Sequence, residues 1–318
     1  MLFRRAILLV LPLLVLCAAV VAIDPFDYFG ISHLVPDRVK LETSYQLNAC
    51  LWKMIQYARR PCPNLLLGDS RMLSLNEQDV SRVAGRPFAN MAYGGASLNE
   101  VIQTFWFAAT QTRIREAWIG FGFNMYDDYN YTNRTEAFLS MRQNPLLYFA
   151  NRTVLKCAAY NVYYDYKGID PKLGVPTETR EQFWQEQLGP LTAAWYSRYV
   201  YPQIYHRELQ KIAGYCRANH INLGFIIFPT HIDLQRRVYD FGLEDDYRRF
   251  KQDLSALATT FDFDYPNPIT ESRSNFRDPY HFTGAIGQKI IHQVWCPASI
   301  EQNRDRKGAA LSLCSSSR

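Results

Sequence analysis

The 318-residue sequence lacks the marks of a nucleotide or metal protein. It holds no Gly-x-Gly-x-x-Gly, no phosphate-binding loop, no Cys-x-x-Cys and no clustered His and Cys, so neither a cofactor nor a metal is expected. It also lacks a basic surface suited to nucleic acid. Of the net charge of +5, Arg4 and Arg5 supply two and residues 298–318 another two, leaving the body near +1, which is no electrostatic footprint for a polyanion. No internal repeat and no low-complexity stretch interrupts the chain before Pro297. With 48% apolar residues it is long enough to bury a sizeable core.

Only one long apolar run is present, Ala6–Ile23, and it follows Arg4 and Arg5. That asymmetry is the pattern of a signal anchor with its N-terminus held in the cytoplasm and the remainder outside. Val20-Val21-Ala22 also has the form of a cleavage site, but an uncleaved single-pass anchor in the cytoplasmic (inner) membrane, with the following domain periplasmic, is the preferred reading. Cys17 follows Leu16, where a lipoprotein signal needs a small residue, so lipid attachment there is not expected. Beyond the anchor lie Cys50, Cys62, Cys157, Cys216, Cys296 and Cys314. In an oxidising compartment one or two disulfides are plausible, Cys50 with Cys62 first, against the alternative of buried thiols.

Residues 24–62 read as a membrane-proximal linker containing one helix near 43–59. Five short apolar runs then read as strands: Asn64–Leu67, Pro87–Ala92, Ala117–Phe123, Leu223–Phe228 and Phe261–Tyr265. Between them Leu75–Val83 and Leu98–Thr110 have helical spacing, with Asn76 and Ser97 placed as N-caps. This alternation predicts an α/β fold, a three-layer α/β/α sandwich on a mainly parallel five-stranded sheet, with sites outside the carboxyl ends of the strands. The domain would run over 63–297, with a long insertion after the third strand at about 125–222 and a disordered polar tail at 298–318. Twelve of the 21 tyrosines fall between Tyr126 and Tyr205, suited to packing, to stacking on sugar rings or to a membrane surface. Asn130, Asn133 and Asn151 open glycosylation sequons in form only.

Four blocks fall at strand ends or beside a helix start: Gly68-Asp69-Ser70-Arg71, Asn90-Met91-Ala92-Tyr93-Gly94-Gly95-Ala96-Ser97, Gly122-Phe123-Asn124 and Asp278-Pro279-Tyr280-His281-Phe282. Singly each is weak; their order and context make them a site. Ser70 has the place of a nucleophile, His281 of its base and Asp278 of the group that orients the base. Backbone N–H groups of Ser70 and of Gly94 or Gly95, with the Asn124 amide, would serve a developing oxyanion. Asp69, Arg71 and His231 are candidate substrate contacts. Arg71 suits an anionic group, and His231 follows the fourth strand, where Asp233 is too near in sequence to meet it on a helix.

The four blocks resemble those of the SGNH (GDSL-like) hydrolase superfamily, and the anchor, the arginine after the serine and the Asn-x-x-x-Gly-Gly block look most like its membrane-anchored, alginate O-acetyltransferase-type members. The resemblance implies a flavodoxin-like SGNH fold. It implies acyl, above all acetyl, transfer to or from a cell-surface or secreted polysaccharide, with a multi-pass membrane acyltransferase as donor partner. Arg71 where secreted esterases carry leucine, and Met125 after Asn124 where many members carry aspartate, put simple lipase activity in doubt. Two alternatives stand beside this reading: a catalytically silent SGNH domain that binds glycan or scaffolds an export complex, and an extracellular carboxylesterase or lipase.

Overall fold

The computed structural model describes residues 2–129, 131–168 and 179–296, with the backbone alone for residues 2–9. The tail expected at 298–318 and the sequon residue Asn130 lie outside them. The chain divides into two compact units, residues 1–61 with 133–177 and residues 62–132 with 178–318.

The second unit holds the sheet. Strands β1 (Asn64–Leu67), β2 (Ala89–Asn90), β3 (Glu116–Phe121), β4 (Asn222–Ile227) and β5 (Thr259–Asp262) pair in the order β2-β1-β3-β4-β5, and every pairing is parallel. This is the flavodoxin-like doubly wound order, whose switch point lies between β1 and β3. Every residue of β1 and β3 is buried, as a parallel sheet covered on both faces requires. On one face Leu66, Trp118, Ile226 and Phe261 meet Ile286, Ile290 and Val294 of the helix Gly284–Trp295. The opposite face includes Phe121 and Phe225, whose rings pack edge to face 5.2 Å apart. Two of the strand glycines make room for bulk: a Cβ on Gly224 would overlap the Trp118 ring, and one on Gly120 the Phe228 ring. A hairpin of β6 (Phe276–Asp278) and β7 (His281–Phe282) sets Asp278 directly opposite His281.

Within the first unit, Leu2–Ile23 is a 22-residue helix with Pro12 inside it. Among the described residues no helix is long and apolar enough to cross a membrane. The segment expected to be a linker is folded. Val20 and Phe26 are buried, and the buried Asp24 carboxylate accepts N–H bonds from Tyr28 (2.7 Å), Phe29 (3.1 Å) and Gly30 (2.8 Å). The single helix expected near 43–59 is split. A π-turn at Leu41–Tyr45 is followed by Asn48, whose side chain accepts Leu51 N–H at 3.0 Å and starts the helix Ala49–Arg59.

The expected insertion does not form one piece. Helices Thr135–Gln143, Leu146–Ala150 and Arg152–Lys167 belong to the first unit, where Tyr148 stacks on Tyr28 and Asn161 accepts from Thr43 and Ser44. The described residues 179–296 belong to the unit that holds the sheet. Nor does a disulfide join Cys50 to Cys62, whose thiol lies 3.5 Å from Pro87 O.

Candidate active site

Strand β1 ends in a turn that only glycine permits. Gly68 has φ +150, and a Cβ there would lie 2.9 Å from both Gly120 O and Met72 Cβ. Asp69 then caps the short helix Ser70–Leu73, its carboxylate accepting Arg71 N–H at 2.9 Å. Ser70 therefore stands at the first helical position, at the carboxyl end of a central strand. Asn90, the last residue of β2, donates to Met72 O and Leu75 O, each at 3.1 Å, and ties the chain that follows Ser70 to its neighbour.

From the far end of the sequence the β6–β7 hairpin brings its histidine to this serine. Ser70 Oγ lies 2.7 Å from His281 Nε2, and His281 Nδ1 lies 2.8 Å and 2.9 Å from the two Asp278 oxygens. Asp278 Oδ1 also accepts the N–H groups of Tyr280 (2.9 Å) and His281 (3.1 Å), so the carboxylate folds the turn that presents its own histidine. Asp278 is buried while Ser70 and His281 are partly open. The order hydroxyl, imidazole, buried carboxylate can move a proton off Ser70 and stabilise the resulting imidazolium.

The groups converge on a cleft of about 130 Å³. Asp69, Arg71, Gly95 and Asn124 join Ser70 and His281 in lining it, whereas Gly94 and His231 do not. Gly95 turns the chain at φ +62. Asn124 sits in the 3-10 turn Phe123–Met125 just past β3. Gln187, Trp195 and Tyr280 supply part of the wall. The Tyr280 hydroxyl lies 2.7 Å from Thr192 Oγ1, and its ring meets Trp195 edge on at 5.4 Å. None of the three wall residues had a place in the site from sequence: Tyr280 stands inside the Asp278–Phe282 block, Trp195 within the aromatic-rich insertion, and Gln187 carries no signal at all.

Two expected substrate contacts have different surroundings. Arg71 borders the cleft yet is only 2% exposed: it forms a two-pronged ion pair with Asp69 and donates through Nη2 to Asn124 Oδ1 at 2.9 Å. Burial works to raise the Asp69 carboxyl, yet the Arg71 charge and hydrogen bonds overcome it and hold Asp69 below its ordinary range. Arg71 is likewise raised, burial opposing and Asp69 prevailing. His231 is buried beneath Trp184 and Phe276, with ring centroids 5.0 and 5.6 Å away. It caps the helix Ile232–Asp240, its Nδ1 lying 3.2 Å from both Asp233 N and Asp233 Oδ2. Residues two apart do not face each other on a helix; His231 has extended backbone at the cap (φ −65, ψ 146), the non-helical geometry that brings the two together. Its N–H donates to Pro279 O at 2.9 Å, so the loop after β4 braces the hairpin that carries His281.

Among the described residues no group of three His, Cys, Asp or Glu side chains is arranged to hold a metal ion. No family model matches the sequence, and no curated protein matches it. Solved structures similar to the chain include the following two. One, a candidate platelet activating factor from Streptococcus pneumonia, is 9% identical with a TM-score of 0.41, over 78% of this chain and 89% of that one. The other, a candidate lipolytic protein of the G-D-S-L family from Desulfitobacterium hafniense DCB-2, is 10% identical with a TM-score of 0.35, over 72% of this chain and 94% of that one. At such identities and scores each is a likeness and no more.

Proposed function

We propose that the protein is a serine-dependent acyl-transfer enzyme of the SGNH kind, acting on acyl esters of a glycan. The observation that carries this reading is the 2.7 Å approach of Ser70 Oγ to His281 Nε2, with Asp278 on the other ring nitrogen. Ser70 attacks the ester carbonyl as His281 takes its proton, and Asp278 holds the imidazolium. The oxyanion is met by N–H groups of Ser70 and Gly95 and by the Asn124 amide. His281 returns the proton to the leaving alkoxide, and a sugar hydroxyl or water then resolves the acyl-enzyme in the same way.

A silent binding domain would tolerate a histidine out of reach of the serine, and this one is within hydrogen-bond distance. A lipase needs a deep apolar acyl pocket. The small cleft, walled by Gln187, Trp195 and Tyr280, instead favours a short acyl group, acetyl in the first place, and an aromatic platform for a sugar ring. Arg4 and Arg5 directly before the uncharged run Ala6–Ile23 support an anchor in the cytoplasmic membrane with the catalytic unit outside. An acetyl donor there would be delivered by a multi-pass acyltransferase partner. The test is hydrolysis of an activated acetyl ester, with and without oligosaccharide acceptors. Ser70→Ala and His281→Ala should each lose at least roughly 10³-fold in kcat, and acetylated sugar among the products would select transfer over hydrolysis. Equal rates in wild type and both variants would end the proposal.

A further inference from the structure

Arg71 is placed at odds with its own stability. It is a fully buried cation, and although Asp69 neutralises it, its Nη1 is buried without a hydrogen-bond partner. It also demands a vacancy elsewhere, since a Cβ on Gly122 would overlap the guanidinium. A methionine or leucine would fill this space without an unpaired donor. What the arginine alone supplies is the bond from Nη2 to Asn124 Oδ1 at 2.9 Å. A guanidinium has donors and no acceptor, so only the oxygen of an amide can face it. The amide is thereby fixed in one of its two orientations, with its NH2 on the side away from Arg71.

We propose that Arg71 is a positioning residue: clamped by Asp69 and seated against Gly122, it holds the Asn124 amide so that its NH2, and not its oxygen, is offered to the oxyanion formed at Ser70. The inference rests on the acyl-transfer reading and adds to it the device that orients one oxyanion donor. Asp69, Arg71, Gly122 and Asn124 then form one unit spanning the ends of β1 and β3. Loss of the Arg71 bond removes the donor that keeps the Asn124 oxygen from the cleft, where that oxygen would repel the developing charge. The arginine after the nucleophile, where secreted esterases of the resembled superfamily carry leucine, thus serves the transition state through Asn124.

The experiment is a double-mutant cycle on the full chain, with Arg71→Met, Asn124→Ala and the pair, read as kcat and KM for an activated acetyl ester. Circular dichroism and thermal melts check each fold. Asn124→Ala should lower kcat by roughly 10²-fold or more with little change in KM, the loss expected for one oxyanion donor. Arg71→Met should lower kcat at least ~10-fold, also at nearly constant KM, and the double variant should match Asn124→Ala alone. Asn124→Asp keeps a partner for Arg71 while removing the donor, and should fold well yet be as slow as Asn124→Ala. If Arg71→Met does not fold, Gly122→Ala, which displaces the guanidinium without deleting it, takes its place in the cycle. Losses that multiply in the double variant, an Arg71→Met effect confined to KM, or failure of both replacements to fold would overturn the inference while leaving the nucleophile intact. Hydrolysis that survives Ser70→Ala would instead remove the acyl-transfer reading, and this inference with it.

Discussion

Asp278 binds the His281 ring through both oxygens and two backbone N–H groups through one of them. In Asp278→Asn the side-chain oxygen can still accept from the turn, but the amide cannot both do so and hold Nδ1–H as a carboxylate does. The fold should survive while kcat falls by roughly 10³–10⁴, the cost of the wrong tautomer, measurable on an activated ester. His231 shows how a titratable side chain can be read correctly as near the site and wrongly as to its part. Its position after β4 was legible, its burial under Trp184 and Phe276 was not, because those partners come from residues far away in sequence. Burial lowers its pKa below 6.5, against the pull of Asp233. A histidine with a depressed folded pKa contributes stability above its unfolded pKa and loses it as pH falls toward the folded one. Asp69, also lowered, acts in the same direction in the carboxylate range. The urea midpoint should therefore drop as pH falls below about 6.5, and His231→Gln should flatten the first part of that drop; an unchanged profile would contradict the burial argument.

At the level of elements, β1 was legible to the residue because four apolar or amide side chains buried on both faces leave no other choice, and the N-caps at Ser97 and Asn76 appear where their spacing put them. Strand β2 was read as six residues and pairs over only two. Apolar runs mark burial, and the chain at Met91 and Ala92 is buried without being paired as strand. The role of Gly224 was not legible at all, since it depends on the Trp118 ring of the neighbouring strand. Gly224→Ala should destabilise by about 1–3 kcal/mol through overpacking, seen as a lower urea midpoint with an unchanged slope, whereas an unchanged midpoint would mean the indole moves freely aside. The gap in the expected helix over 43–59 has a visible signal in retrospect, Asn48 as an N-cap.

At the level of the molecule, helical periodicity identifies which face of a helix is buried and not what buries it, so the division of the insertion between two units could not be read from 125–222 alone. The buried thiols are a whole-molecule property of the same sort: burial pushes Cys157 up to about 11 and Cys216 up to about 12. Neither should react with a thiol reagent at pH 8 until denaturant is added, and labelling of both in the native protein would contradict their packing. The site was legible in its blocks, Ser70 with Asp278 and His281, because its chemistry requires those residue types; its wall at Gln187 and Trp195 was not, since packing alone brings them there. The most direct measurement is acid quench of the full-length protein during turnover of an activated acetyl ester, followed by mass spectrometry of the peptide containing Ser70. Acyl-enzyme formation predicts one acetyl group on Ser70, absent in Ser70→Ala and accumulating more slowly in His281→Ala, and shortened in lifetime by an acceptor oligosaccharide. Turnover with no acetyl on Ser70, or the same rate from Ser70→Ala, would contradict it.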